Sequence, residues 1–473
     1  SSVDTLRSVS IEWSVRGTNQ TPYTWTGSLL QYETDTVLLG NFLPIGGVNN
    51  VRAWTSNPNA KMDLEPANDT CTVTTYGCDS ILHGIYTIGG AGADFATLAD
   101  AVLALEKCGV NGPIEMRINP GTYGQVLFSG TVFGSSAVNT ITFTSSTGVA
   151  SDVILTGSPA LGMTGTSNMN FRYLTFGNGT GTYAVTMMGK CDNIEFYHCT
   201  MELSSTATAS GTYVFYRPAS SACDNFRFIG NTVIGGYYGM YFYGQSTNAG
   251  GYNTNVTIDS NVFRDAYYYG YYFYYNDFLS FSYNTTTPRN SSTTTFYTQT
   301  YYSNHNYSVG NKWNFTNNTT INNYYNYMYY SHYYNYTGKG YFANNEIIHK
   351  SNTAGYGMYF YYSKVDVYHN SVISTGPTAY SFYVYGNNNE MDFKNNQMIA
   401  MNIPIVVYQG SNIDFDYNNY YSYSGIIGQW EGTSYFTLND WIAKSGDSNA
   451  ISIAPVFIDS TKSLELVNYT GMA

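Results

Sequence analysis

CDNFRFIGNTVIGGYYGMYFYG, residues 223–244, is the stretch whose reading decides the fold. Phe226 and Phe228 stand two apart, and Asn231 follows three residues later. Residues two apart share one side of a strand, so the two rings point the same way. The same phrase returns at Val256, Ile258 and Asn261, then at Leu279, Phe281 and Asn284. Five further ladder positions follow at Asn318, Asn345, Asn370, Asn396 and Asn418, while Leu174 and Cys199 hold the equivalent place in two earlier copies. Spacings of 22 to 34 residues fit one solenoid coil of three short strands and their loops. An antiparallel sandwich array would instead place turns every ~8 to 12 residues. An inward asparagine at a turn can bond the backbone of its own and the next coil, and identical amides then stack at the ~4.8 Å strand spacing. The repeat therefore predicts an all-β chain. Its main body is a right-handed parallel β-helix of roughly ten to twelve coils over residues 124–473, with the asparagines superposed along one turn.

Working outward from the inward residues, the same repeat exposes two kinds of column. The segments GMYFYG (239–244), GYYFYY (270–275), GMYFYY (357–362) and YSFYVYG (380–386) alternate an inward apolar residue with an outward aromatic. Aligned, they give one column of Tyr241, Tyr272, Tyr327, Tyr359 and Tyr383, and another of Tyr243, Tyr274, Tyr329, Tyr361, Tyr385 and Tyr408. Contiguous exposed aromatic surface marks contacts, and tyrosine offers a flat ring and a hydroxyl to a protein partner or a glycan. Stacked tyrosines also stabilise strands by pairing across them, with no partner involved. The second column is acidic: Asp366, Asp392 and Asp414 occupy one outward position in successive coils, with Glu390, Lys394 and Asp416 nearby. Carboxylates ~5 Å apart repel, so one should be raised in pKa unless a cation such as Lys394 intervenes. The row is read three ways: a solvated or Lys-paired ladder, a calcium site at Asp392, Asp414 and Asp416, or a pair of catalytic acids.

Composition agrees with this reading. Asp, Glu, Lys and Arg make up 11% of the 473 residues, against ~25% in an average soluble protein, whereas there are 51 tyrosines and 46 glycines. Tyr and Thr suit pleated strands better than helices, and 17% aromatic content opposes disorder. A formal charge of −12 excludes nucleic acid as a main partner, because such binding rests on Lys and Arg against phosphates. No uncharged apolar run reaches the ~18 residues that would mark a membrane span. Of the six cysteines, Cys191 and Cys223 open equivalent CDN phrases in successive coils and could stack within disulfide reach. Cys78 and Cys108 bracket a helical segment and form the other candidate pair, with Cys71 competing for Cys78.

Upstream of the repeat, SVSIEWSV, TVLLGNF and VRAWTS read as short strands separated by polar turns, the pattern of a β-sandwich over residues 1–80. Residues 81–123 form a cap segment. Within it Phe95, Leu98, Val102 and Leu105 recur at helical spacing, and Gly109 and Pro113 follow. The run IEWSVRGTNQTPYTWTGSLL, with VRAWTSNPNAKMDLEPANDT after it, resembles adhesion-type Ig-like modules that precede β-helices in bacterial cell-surface proteins of the type IX export pathway. GIYTIGGAGADFATLADAVLALEKCGVNGPIEMRINPGTY (84–123) and the segment from Tyr417 to Val467 resemble the opening and closing of the same exported right-handed β-helix proteins, whose fold is of the pectate-lyase-like superfamily. The resemblance implies a partial Ig-like module, a helix across the open end of the first coil, secretion to the bacterial surface and a larger parent protein or filament. It specifies activity poorly. β-Helix pectinases and lyases carry their catalytic acids or bases on the strand that here carries tyrosine. The expectation is a structural or adhesive solenoid with glycan or protein partners and no cofactor unless calcium binds; the alternative is a polysaccharide lyase or glycoside hydrolase.

Overall fold

The computed structural model describes residues 5–63, 65–219, 221–245, 251–289, 297–301, 314–316, 319–323, 325–329, 339–349, 355–387, 389–409, 412–460 and 463–467, with backbone alone at 299–301, 314–316, 319–323 and 325–329. The chain divides into two compact units, Ser1–His83 with Val102–Asn111, and Gly84–Ala101 with Gly112–Ala473.

In the first unit Leu6–Val15 is the central strand of one antiparallel sheet. Gly47–Ser56 pairs along one edge of it, Tyr23–Leu29 and Thr18–Asn19 along the other, and Thr70–Gly77 adds beyond Gly47–Ser56. Alternation buries Val9, Trp13 and Val15, and Trp25 joins them from the neighbouring strand. The described strands make this one sheet, so the second layer of a sandwich is not among them. Thr36–Phe42, which reads as a strand, is irregular, with Leu38 75% exposed; an extended run without a neighbour has nowhere to place its backbone hydrogen bonds. Cys78 and Cys108 are joined by a disulfide, and Cys71 is an exposed free thiol.

The helix runs Leu98–Cys108. Thr97 opens it with a reciprocal cap, its hydroxyl accepting from Asp100 N at 3.1 Å while the Asp100 carboxylate accepts from Thr97 N at 3.1 Å. Leu98, Ala101, Val102 and Leu105 form its buried stripe. Phe95 stays outside the helix and bridges to Ile88.

The second unit is a parallel β-solenoid of three sheets. The first face runs from Leu82–Ile88 to Ile413–Asp416, the second from Gly121–Tyr123 to Asn419–Ser422, and the third from Val126–Ser129 to Thr433–Tyr435. Val110–Ile118, Gly121–Tyr123 and Val126–Ser129 already form one coil, so coiling begins at Val110 and not at position 124. Identical positions stack: Phe143, Phe171, Phe196, Phe228, Ile258, Phe281, Phe315, Phe342, Val367, Phe393 and Phe415 follow one another in register along the first face. In one coil the inward pair is Phe278 and Phe281, because a bulge turns Leu279 outward to 49% exposure.

The asparagine ladder lies at the corner between the first and second faces, and each described member is buried. Asn261 is representative. Its Oδ1 accepts from the backbone and side-chain amides of Asn231 at 2.8 and 3.1 Å, and its Nδ2 donates to Phe228 O at 2.8 Å and Asn284 Oδ1 at 2.9 Å. Asn345, Asn370, Asn396 and Asn418 repeat the pattern; Asn318 lies outside the described residues. Each described residue that precedes a ladder asparagine turns the chain at positive φ, 55° to 67° from Gly230 through Tyr417, a conformation costing ~1–2 kcal/mol for a residue with Cβ and held here by the locked amide beside it. The ladder ends where Asn418 donates to the buried carboxylate of Asp447 at 2.9 Å.

Candidate functional site: the tyrosine face

Strands Tyr238–Tyr243 and Tyr269–Tyr274 show how the third face is built. Met240 and Phe242 point inward and are fully buried, while Tyr238, Tyr241 and Tyr243 are half-buried on the outside. The register places Tyr241 against Tyr272, and Tyr359 against Tyr383, as expected; Tyr243, Tyr274, Tyr361, Tyr385 and Tyr408 likewise share a column. Tyr327 lies in register between Gln299 and Tyr359, so the first column is interrupted by an amide. A third column also appears, in which Tyr183, Tyr213, Tyr238, Tyr269, Tyr297, Tyr325, Tyr356 and Tyr380 are consecutive partners. A strict period of two misses it, because two successive buried residues, Gly239 and Met240, separate Tyr238 from Tyr241. The recurrent Tyr-Gly before the inward methionine was the available signal. Gly239 is required there, since a Cβ would come 2.4 Å from Gly270 O of the next coil.

Ring geometry changes what this surface can bind. Tyr213 and Tyr238 stack at 4.6 Å and 6°, Tyr238 and Tyr269 at 4.8 Å and 2°, and Tyr243 and Tyr274 at 4.4 Å and 7°. Across columns, Tyr238 meets Tyr241 edge-on at 5.5 Å and 86°. The faces of these stacked rings are therefore spent on one another, which closes off platform stacking of a sugar at those pairs. Tyr359 and Tyr383 meet edge to face instead, at 5.1 Å and 76°. Burial, reinforced by neighbouring phenols, holds the Tyr241 and Tyr359 hydroxyls above the usual phenol value and pushes Tyr383 up to about 12; burial raises Tyr272 against an opposing hydrogen bond from Tyr274. The surface is neutral at ordinary pH.

The acidic column lies elsewhere, on the first face, where Asp366, Asp392 and Asp414 are consecutive register partners. The cation between them is Lys339, from the turn before Gly340–Ala343. Its Nζ lies 3.1 Å from Asp366 and 2.9 Å from Asp392, and the Tyr368 hydroxyl donates to Asp392 at 3.2 Å. Lys394 instead stands between Tyr368 and Asp416 in register. Burial would raise the Asp392 carboxyl, but the hydrogen bond and charge of Lys339 outweigh it, and Asp392 falls below the ordinary carboxylate value. Burial opposes the Lys339 charge too, and the two carboxylates still hold that ammonium above its ordinary value. An acid catalyst needs the reverse shift. The calcium reading meets the same obstacle: Asp392 is taken by Lys339, Asp416 Oδ1 accepts from Asn449 at 2.9 Å, and no group of three or more His, Cys, Asp or Glu poised for a metal occurs among the described residues. Nothing in the sequence marks Lys339, which reaches across two coils.

Cys191 and Cys223 stack in successive coils, yet both are free buried thiols, against the expected disulfide. The Cys223 thiol is hydrogen-bonded to Cys191 O, and the Cys191 thiol donates to Met188 O at 3.3 Å, so each sulfur is directed at a backbone carbonyl and not at the other sulfur. Burial raises both thiols, which leaves them inert.

No protein-family model matches the chain, and no curated protein is similar to it. A solved structure, that of a pectin methylesterase in complex with hexasaccharide VII, aligns over 78% of this chain and 92% of that one at 9% identity with a TM-score of 0.21. So low a score carries no weight about activity. The class of this protein, a tyrosine-faced parallel β-solenoid, stands on its own strand register. No helix among the described residues is long and apolar enough to cross a membrane.

Proposed function

We propose that this chain is a secreted, surface-displayed structural or adhesive β-solenoid, part of a larger bacterial surface protein or filament, that makes its contacts through the tyrosine face. The observation that carries the reading is the three adjacent tyrosine columns, on strands whose single charged residue, Arg217, is buried. Export by the type IX route and an Ig-like origin for the first unit belong to the same proposal and rest on the resemblance of the quoted segments. The rival reading, a polysaccharide-degrading enzyme, is opposed at Asp392, whose carboxyl is ion-paired with Lys339 and held below its ordinary value.

Attachment of the purified chain to immobilised proteins and glycans tests this. Attachment should be abolished by Tyr241→Glu, Tyr272→Glu, Tyr359→Glu and Tyr383→Glu together, and weakened by Tyr408→Glu, whose exposed site leaves the far-UV circular dichroism unchanged. Normal attachment by such folded variants would sink the proposal, as would steady polysaccharide cleavage that disappears in Asp392→Asn or Asp414→Asn.

A further inference from the structure

We infer that the tyrosine face is a self-association surface, on which two copies of this chain pack face to face. This rests on the contact-surface reading above and names its partner. Four observations converge on a second copy.

The first is chemical. Where the rings stack, as at Tyr213, Tyr238 and Tyr269 and at Tyr243 and Tyr274, the surface presents ring edges and phenolic groups. A phenol hydroxyl donates one hydrogen bond and accepts others, so a lattice of them is complementary to itself. The second is the period. Tyrosines recur once per coil at the ~4.8 Å strand spacing, and a second copy carries the identical repeat, so hydroxyl rows meet in register along the whole length.

The third is charge. The nine strands from Tyr183–Met188 to Ile403–Tyr408 contain a single charged residue, Arg217, whose side chain is fully buried. Two chains of formal charge −12 repel, and this neutral side is where they approach at least electrostatic cost. The first face differs, with ion pairs at outward positions such as Arg172 with Glu195 at 2.7 Å.

The fourth is area and cover. Eight coil spacings of ~4.8 Å by six residues of ~3.3 Å give about 800 Å² per partner, the size of a standard stable interface. The solenoid covers its other outward apolar column itself: Ile348, Ile373 and Ile399 on the second face lie beneath Leu464 of the terminal hairpin Phe457–Asp459 and Ser463–Leu466. On the tyrosine face, Tyr408 at the end of its column is 42% exposed.

Sedimentation equilibrium of the whole chain tests the inference. The wild type should be dimeric at micromolar concentration or below, within the range for interfaces of this size. Added salt should not weaken the dimer, because no charges meet across the contact and screening only relieves the repulsion between two chains of like charge. A Tyr241→Glu, Tyr272→Glu, Tyr383→Glu variant should be monomeric. Tyr408→Glu, at an exposed rim position that leaves the core intact, should weaken the dimer at least tenfold and keeps the test decisive if the triple variant misfolds. A monomeric wild type, or a dimer that survives Tyr408→Glu and the triple variant, overturns self-association. If the wild type is monomeric but attachment to other surfaces still vanishes in the glutamate variants, a foreign protein or glycan is the partner and only this inference fails. Unchanged mass and unchanged attachment together overturn both readings.

Discussion

Asn396 accepts hydrogen bonds from the backbone and side-chain amides of Asn370 at 3.0 and 2.9 Å, and donates to Val367 O and to Asn418 Oδ1. Replacing it with Ala removes the acceptor of the buried Asn370 N–H and one of the two acceptors of the Asn370 side-chain amide, which keeps Phe342 O at 2.9 Å, so Asn396→Ala should cost about 1–3 kcal/mol in urea unfolding. Asn255, whose amide stacks on Asn225 in an exposed row, should cost little when changed to Ala, because water replaces the lost bond. Lys339 gives a second prediction at this scale. The depressed Asp392 carboxyl contributes stability above the unfolded carboxylate pKa, and that contribution is lost as pH falls through the folded value. Lys339→Met leaves Asp366 and Asp392 facing each other without the cation, so its loss in melting temperature should be larger near pH 7 than near pH 2. Equal losses at both pH values would mean that Lys339 acts by packing alone.

The element of most consequence is the third sheet, whose strands alternate buried apolar residues with half-buried tyrosines. Because the hydroxyls of Tyr241, Tyr359 and Tyr383 titrate above the unfolded phenol value of ~10, their contribution is fully present below that pH and is lost as pH rises through the folded values. Stability should therefore hold to about pH 10 and fall steeply by about pH 12, the value to which Tyr383 is pushed up. Ultraviolet titration should show these tyrosines ionising late and together with unfolding; free ionisation near pH 10 in a folded chain would refute their burial.

Over the whole molecule, a stacked array holds each coil by its neighbours, so its ends govern its stability. The carboxy-terminal end is closed by the helix Leu438–Ser445, whose Trp441 is fully buried and packs on Tyr420 at 5.5 Å and Tyr435 at 5.8 Å. Trp441→Ala should cost about 3–5 kcal/mol and appear first in hydrogen exchange of the last coils. Below it Asp447 terminates the asparagine ladder. Burial raises its carboxyl against the hydrogen bonds of Asn418 and Tyr420, so its ionisation opposes folding above the ordinary carboxylate range. Asp447→Asn keeps one oxygen for Asn418 and Tyr420 and removes the charge. It should raise the melting temperature at pH 7 and lose that advantage in acid.

The sequence by itself determined the parallel solenoid, the coil length, the inward phenylalanines, the asparagine corner and two of the tyrosine columns. Each is a repeat of residue type at a fixed interval, and stacking like on like turns an interval along the chain into a column in space. Tertiary structure alone decided the rest. The bulge at Leu279 and the paired inward residues before Tyr241 break the period of two locally. Lys339 reaches two coils to meet Asp392, the Cys191 and Cys223 sulfurs turn to carbonyls instead of to each other, and the Tyr238 and Tyr269 rings lie face to face while Tyr359 and Tyr383 meet edge to face. Which atom a side chain meets depends on rotamer and on loop length between coils, and neither is written as a period in one dimension.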